Sequence, residues 1–219
     1  MRDLKEELSS LARKSPETIE FCKKVLNSER YDGNAVLMIV DSAITSVGVN
    51  YFSVVVPRVI EFRKKFVDSG KIKSLEDFTR CDESIFYTVW KNRRSWKTAS
   101  GIAETLLEYG DDVTGLRRWA ERAELEGWRE CLQVRGAGIN TFQYLRMMGG
   151  VDTVMPDRIV RRFLEKHVKM PADAIEFIRK AEKISEEAGF RAVEMCWLSW
   201  LSSYNEEKIR KYSSILAKI

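Results

Sequence analysis

The sequence predicts an all-α protein with about a dozen helices. Apolar residues recur at helical spacing through nearly the whole chain of 219 residues, which is the pattern of helices with one buried face. Only 4 prolines and 12 glycines interrupt it, too few for the frequent tight turns of a β-sandwich or a propeller. The single strand-like run, Val54-Val55-Val56, lies inside a helical period.

Local signals place the helices in order along the chain. Ser15-Pro16 has the residue types of an N-cap and a first turn and predicts a helix over 16–26. Residues 34–47 are apolar nearly all round, so this helix is expected to be buried at the centre. Residues 51–67 predict a long helix that is kinked or broken at Pro57. Further helices are predicted after Ser74, after Asp82, over 99–109 and over 115–126.

The composition excludes several classes of protein. Hydrophobic residues make up 44% of the chain and charged residues 32%, which is typical of a folded, soluble protein. No stretch approaches 18 uninterrupted apolar residues, so a membrane span is excluded. The N-terminus has no apolar signal core. We therefore expect a cytoplasmic location and no membrane partner.

Cysteine and histidine usage removes further chemistries. Cys22, Cys81, Cys131 and Cys196 are scattered without a CxxC pair, so neither a thiolate zinc site nor an iron–sulfur cluster is expected. They are expected to be reduced and mostly buried. His167 is the only histidine, which argues against histidine metal sites and Ser-His-Asp triads. It falls near a predicted helix end, where a solvated or dipole-compensating role is expected.

Two glycines interrupt the helical pattern between residues 128 and 148. Gly136 and Gly138 flank one residue, so the backbone can turn sharply and approach a ligand without a Cβ in the way. The next helix is predicted to begin near Ile139, with unpaired amides at its positive end. Such a turn can hold a phosphate oxygen, and a helix cap or a tight packing turn is the ordinary alternative.

An aspartate follows downstream at a second predicted helix start. Asp157 comes behind Pro156, seven residues after Gly150. The helix that it opens carries Arg158, Arg161 and Arg162, and the helix N-terminus favours an ionised carboxylate. The ordinary interpretation of Asp157 is a capping residue.

These two motifs together resemble the signature of the helix-hairpin-helix DNA glycosylase superfamily, which includes endonuclease III. Residues 134–142 are similar to the family's hairpin phrase Leu-Pro-Gly-Val-Gly-x-Lys-Thr-Ala, and 156–163 to its Val-Asp-Thr-His-Val-x-Arg-Val phrase. Residues 190–200 resemble the alkylbase glycosylase branch. The likeness covers about residues 34–165.

The resemblance implies a two-lobed helical fold with a cleft between the lobes. A helical barrel over 30–150 would carry the helix-hairpin-helix motif at about 128–148. The second lobe would combine residues 1–29 with 151–219 and carry the catalytic aspartate.

The resemblance also implies hydrolysis of the N-glycosidic bond of a flipped-out damaged or mismatched base. Asp157 would be the catalytic carboxylate, stabilising positive charge on the sugar or activating a water. Asn140 stands where the bifunctional members have lysine, and asparagine cannot form the Schiff base that precedes strand cleavage. A monofunctional enzyme of base excision repair, without lyase activity or an iron–sulfur cluster, is therefore expected.

Further residues take roles by the same resemblance. DNA contacts are expected from Arg135, Gly136, Gly138, Asn140 and Thr141. The base pocket is expected to use Tyr144 and a tryptophan of the C-terminal helix, Trp197 or Trp200, of which we take Trp197. Main-chain carbonyls at the hairpin would hold a structural K⁺ or Na⁺, and the matching residues are Leu132, Val134 and Ala137.

A basic segment adds to the predicted DNA surface. The net charge is only +4, but 90–97 contains four basic residues, two tryptophans and no acid. Arg93, Arg94 and Lys97 suit phosphates, and the tryptophans suit exposed bases. A solvated charge run is the ordinary alternative. We expect a monomer that binds double-stranded DNA in the nucleoid.

Two other functions stay open at this point. The chain could be a non-catalytic helix-hairpin-helix protein that binds DNA, or a helical adaptor for other proteins. The base also stays open among alkylated purines, uracil, mismatched thymine and oxidised bases. The C-terminal tryptophans favour alkylated bases, because electron-poor rings stack well on indole.

Overall fold

The computed structural model describes residues 2–219, which form thirteen α-helices and no strand. The all-α prediction is confirmed. The helices are α1 Arg2–Lys14, α2 Pro16–Leu26, α3 Ala35–Thr45, α4 Val56–Phe62, α5 Leu75–Arg80, α6 Arg93–Leu107, α7 Val113–Arg122, α8 Trp128–Cys131, α9 Ile139–Met148, α10 Arg158–Glu165, α11 Ala174–Ala188, α12 Ala192–Leu201 and α13 Glu206–Leu216. Short 3₁₀ segments span Arg30–Gly33 and Glu83–Thr88, and π-helical turns span Tyr51–Val55 and Arg63–Val67.

Helix α3 forms the centre of the fold. Every residue of α3 except the last is buried, as the uniformly apolar sequence predicts. It packs against α4, α6 and α9, while α5 packs on α6 and α7 on α9. The neighbours of α12 are α1, α2, α10 and α11, and α2 also contacts α9. The division into lobes at residues 30–150 stays a prediction.

Several boundaries differ from the predicted ones for local reasons. Ser15 precedes α2 but does not cap it, because its hydroxyl donates to the carbonyl of Leu11 at 2.7 Å. Residues 51–67 stay helical without a break, since Pro57 lies in the first turn of α4 between two π-helical turns. Helix α6 begins at residue 93 rather than 99, because Asn92 accepts a hydrogen bond from the Ser95 amide.

The cysteines and the histidine lie in ordinary structural surroundings. All four cysteines are free thiols, with Cys22 and Cys196 buried. The solvated position predicted for His167 is wrong, because its side chain is only 11% exposed and its Nε2 lies 2.8 Å from a carboxylate oxygen of Glu7. The alternative role at the helix dipole stays a prediction, since His167 follows the C-terminal end of α10. Within residues 2–219, no cluster of three His, Cys, Asp or Glu side chains could hold a metal ion. None of the described helices is long and apolar enough to span a bilayer.

Candidate active site and nucleic-acid interface

A cavity of about 880 Å³ opens beside the hairpin and the start of α10. Its walls come from α3, the loop before residue 51, the turn into α9, the segment before α10 and the last turn of α12. Eight of the residues predicted to have functional roles line it together: Arg94, Gly136, Ala137, Gly138, Asn140, Thr141, Tyr144 and Asp157. Residues far apart in sequence therefore meet at one site.

The hairpin is held in shape by a glycine and by contacts with α6. Gly136 has a φ of +98°, in the left-handed region that favours glycine, and a Cβ there would lie 2.5 Å from the Thr98 hydroxyl. That hydroxyl donates to the carbonyl of Arg135 at 3.1 Å. The amide of Ala137 closes the turn on the carbonyl of Val134 at 3.0 Å. The backbone of the turn is thus fixed before any ligand binds.

The N-terminus of α9 faces open space. Gly138 occupies the N-cap position without a side-chain cap, and a Cβ built on it would meet nothing within 4 Å. Among the described residues, no group accepts a hydrogen bond from the amides of Ile139, Asn140 and Thr141. These amides carry the positive end of the helix dipole, so an anion can approach them closely.

A second cavity of about 860 Å³ lies next to the first and is bounded by basic side chains. Arg93, Arg94, Lys97 and Arg135 line it, and Arg94 lines both cavities. The first three lie in the opening turns of α6, and all four are exposed. The structure thus brings the basic segment and the hairpin arginine together, although Glu104 and Glu108 also line this cavity.

One tryptophan of the basic segment cannot take the predicted base-stacking role. Trp96 is fully buried in the core, and its indole N–H donates to the carbonyl of Trp90 at 2.7 Å. Trp90 is partly buried and donates to the Ser95 hydroxyl at 3.1 Å. Stacking on exposed bases from this segment is therefore wrong for Trp96, because its ring forms part of the core.

Asp157 is both the N-cap of α10 and part of the cavity wall. Its Oδ1 accepts hydrogen bonds from the amides of Ile159 and Val160 at 2.7 and 2.9 Å, and its Oδ2 accepts one from the indole N–H of Trp200 at 2.7 Å. Burial raises the pKa of the Asp157 carboxyl, and the three hydrogen bonds, which lower it, compensate only in part. The side chain is thus fixed in orientation and more basic than an ordinary aspartate.

Of the two tryptophans of α12, the cavity is lined by Trp200 and not by Trp197, which was predicted for the base pocket. Trp197 is 1% exposed and does not line the cavity. Its ring packs edge-on against Phe21 at 4.9 Å between centroids. Trp200 lines the cavity instead, because residues three apart on a helix point in directions about 60° apart. We therefore assign the cavity position to Trp200.

Tyr144 lies at the inner end of the cavity, over a buried ion pair that the sequence analysis missed. Its hydroxyl donates to Asp41 Oδ1 at 3.0 Å and accepts a hydrogen bond from Arg30. An Nη2 of Arg30 lies 2.6 Å from Asp41 Oδ2, and both side chains are fully buried. The hydroxyls of Tyr31 and Tyr51 also donate to Asp41 Oδ2, at 2.5 and 3.1 Å. The signal for this cluster was a lone aspartate in the apolar stretch 34–47, since a buried carboxylate needs a partner.

The titration directions of Arg30 and the tyrosines agree with a permanently charged guanidinium and neutral hydroxyls inside this cluster. Burial acts to lower the pKa of Arg30, but the carboxylate of Asp41 and the tyrosine hydroxyls raise it, and the net change is well upward. Burial raises the pKa of Tyr144 and Tyr51 well above the ordinary value, so both hydroxyls stay protonated. The cavity floor thus rests on a neutral ion pair.

The cation site predicted at the hairpin would be formed by main-chain carbonyl oxygens. The Val134 carbonyl accepts one hydrogen bond within the turn and retains a second lone pair. Leu132, Val134 and Ala137 would offer only neutral oxygens, which suits K⁺ or Na⁺ better than a more highly charged ion. A cation held there stays a prediction.

Comparisons with known proteins match the chain over most of its length. The model of a family described as "Domain of unknown function (DUF8548)" matches residues 17–200. The crystal structure of the 8-oxoguanine DNA glycosylase of Thermotoga maritima superposes with a TM-score of 0.57 and 14% identity, covering 91% of this chain and 95% of that chain. At that identity the likeness shows a shared all-helical fold. No curated protein matches the sequence.

Proposed function

Because this chain belongs to the DUF8548 family, whose description names no activity, we propose a function from its own geometry: a monofunctional DNA glycosylase. The observation that carries the proposal is that one cavity holds both a partly buried carboxylate with a raised pKa and an open helix N-terminus. Asp157 lines the cavity that Gly138 and the first residues of α9 also line. The similar fold of a DNA glycosylase supports this assignment.

The hairpin and the basic side chains suit the DNA backbone. A phosphate would accept hydrogen bonds from the free amides of residues 139–141, as anions do at helix N-termini. Arg94, Lys97 and Arg135 would contact the neighbouring phosphates. The target nucleotide would then leave the stack, because the glycosidic bond is unreachable inside the duplex. Its base would enter the cavity between aromatic side chains, of which Trp200 and Tyr204 line the wall.

Asp157 would carry the chemistry. When the bond between C1′ and the base nitrogen breaks, its electron pair leaves with the base and positive charge develops on the sugar. The carboxylate stabilises this charge, and its Oδ2, which accepts only the hydrogen bond from Trp200, keeps a free lone pair. A water then adds at C1′ and loses a proton to the carboxylate or to solvent, while the departed base, which holds the bonding pair, takes up a proton from solvent. The products are a neutral free base and an abasic site.

The cavity lining supports a glycosylase without lyase activity. No lysine of residues 2–219 lines the cavity. Asn140 occupies the exposed hairpin position, and its amide is not a nucleophile toward C1′. We therefore expect an abasic product with an intact strand.

A panel of duplexes tests the proposal directly. Uracil, hypoxanthine, 8-oxoguanine, ethenoadenine and mismatched thymine are each placed in one strand and incubated with excess protein. Hot alkali then cleaves any abasic site, and a parallel untreated sample reports lyase activity. We expect alkali-dependent cleavage for at least one base and none without alkali. Protein that binds duplex tightly yet releases no base from any substrate would contradict the proposal.

A non-catalytic DNA-binding protein is the second candidate. The observation that favours it is that both oxygens of Asp157 already serve structural hydrogen bonds. It would bind duplex in a salt-sensitive way and release no base. Both candidates require affinity for DNA at low salt, which a mobility-shift assay measures. A protein that shows no such affinity would fit a protein adaptor instead.

A further inference from the structure

Three residues with hydroxyl side chains, in α3 and at its C-cap, form one wall of the cavity. Ser42, Thr45 and Ser46 all line it, and their spacing of three and four residues places them on one face of the helix. No role was predicted for them from the sequence. They lie on the same helix as Asp41 of the buried ion pair.

The hydrogen bonds within the protein determine whether each of these hydroxyls can still donate to a ligand or only accept from one. Thr45 donates to Asp41 Oδ1 at 3.2 Å, and Ser46 donates to the carbonyl of Ala43 at 2.7 Å. Each therefore faces the cavity only as an acceptor. Tyr51 and Tyr144 donate to Asp41 as well, so their protons are also committed.

Ser42 differs from every other hydroxyl of this wall. Its side chain is fully buried, and its Oγ has no hydrogen-bond partner among residues 2–219. Ser199, an equally buried serine on α12, shows the usual arrangement by donating to the carbonyl of Met195 at 2.6 Å. A buried hydroxyl without a partner destabilises the free protein. A ligand that supplies the partner removes that penalty.

We infer that Ser42 is a specificity-determining residue whose hydroxyl donates a hydrogen bond to a ring carbonyl of the flipped-out base. This inference rests on the proposed function. Thr45 and Ser46 accept from the ring N–H beside that carbonyl, so the wall is complementary to a lactam edge. The substrate class is thus a neutral base with C=O next to N–H, such as uracil, hypoxanthine or 8-oxoguanine. The ion pair under the floor is neutral, which gives a cationic alkylated purine no advantage there.

Single-turnover rates of base release test the role of Ser42. The wild type is compared with Ser42→Ala and with Ser199→Ala, a matched removal of a buried hydroxyl outside the cavity. Substrates are the lactam bases and two bases without a ring carbonyl, ethenoadenine and purine. Purine, the base of the nucleoside nebularine, is hypoxanthine without its carbonyl. We expect Ser42→Ala to slow release of the lactam base by about tenfold to a hundredfold. Ser199→Ala is expected to leave its rate within about twofold.

The base lacking the carbonyl separates contact from a structural effect. If Ser42 contacts the carbonyl, the wild type and Ser42→Ala release purine at equal, slow rates. Removing the serine hydroxyl and removing the ring carbonyl each abolish the same hydrogen bond, so the second removal costs nothing further. Thermal unfolding of Ser42→Ala is expected at the same temperature as the wild type or higher. Equal rates for both proteins on every base, together with a lower unfolding temperature for Ser42→Ala, would mean that a structural water satisfies Ser42 and would overturn the inference.

The outcomes distinguish this inference from the proposed function. Release of a lactam base at a rate that Ser42→Ala leaves unchanged overturns the role of Ser42 and leaves the glycosylase proposal in place. Release of ethenoadenine alone overturns the lactam class. No release of any base by the wild type overturns the proposed function and this inference together.

Discussion

At the scale of single residues, burial raises the pKa of the Asp157 carboxyl, and the hydrogen bond from Trp200 opposes that rise. Catalysis by the ionised form is lost as the pH falls through this raised pKa. The acid limb of the activity profile is therefore expected above the range of an ordinary aspartate.

Trp200→Phe is expected to move that acid limb to still higher pH. Phenylalanine keeps an aromatic ring in the wall but removes the donor, so ionised Asp157 loses one stabilising bond. The measurement is the single-turnover rate against pH for both proteins. Trp128→Phe is the control, since Trp128 lies in α8 and lines neither cavity. An unmoved limb with a uniformly lower rate would assign Trp200 to packing alone.

At the scale of the elements, the hairpin requires glycine at one position for two reasons. In Gly136→Ala, the alanine would have to adopt the unfavourable φ of +98°, and its Cβ would lie 2.5 Å from the Thr98 hydroxyl. Gly70 has a φ of +73° but only an ordinary contact at 3.8 Å to a lysine side chain. Gly70→Ala therefore isolates the backbone strain, about 1–2 kcal/mol.

Gly136→Ala is expected to lower the free energy of unfolding by more than Gly70→Ala and to weaken duplex binding as well. Urea denaturation gives the first quantity and fluorescence anisotropy with labelled duplex the second. Equal losses of stability in the two variants, with unchanged binding, would show that the hairpin backbone is not held as described.

Sequence patterns predicted the elements better than the precise groups that meet at the cavity. The apolar run of α3 and the paired glycines of the hairpin follow from local composition, so they were readable directly. The start of α6 was missed because Asn92 competes with other polar residues as a cap, and Trp197 was preferred to Trp200 because helical phase is uncertain in an apolar helix. The pairing of Arg30 with Asp41 depends on tertiary packing, which no local pattern specifies.

At the scale of the whole molecule, the buried ion pair connects elements that are distant in sequence. Arg30 precedes α3, Asp41 lies within it, Tyr51 begins the next helical segment and Tyr144 lies on α9. All of them are joined by hydrogen bonds around two fully buried charges. Removing one charge leaves the other without a partner in a low-dielectric interior.

Arg30→Met is expected to lower the free energy of unfolding by about 3–5 kcal/mol, because the carboxylate of Asp41 stays buried and unpaired. Urea denaturation measures this loss. Arg2→Met removes an exposed pair with Glu6, whose side chains are 90% and 66% accessible, and is expected to leave stability unchanged within error. A loss no larger for Arg30→Met than for Arg2→Met would contradict the structural role of the cluster.

The most direct test of the account is base release by Asp157→Asn beside Asp173→Asn. Both aspartates are N-caps that accept two backbone amides, of α10 and α11 respectively, and asparagine caps equally well. Asp157 alone lines the cavity. Because its folded pKa is raised, ionised Asp157 lowers stability above that pKa, so its loss is not expected to unfold the protein at neutral pH. We predict that Asp157→Asn binds duplex normally and loses base release by at least about a hundredfold, while Asp173→Asn retains the wild-type rate. Base release by Asp157→Asn at the wild-type rate would contradict the central claim.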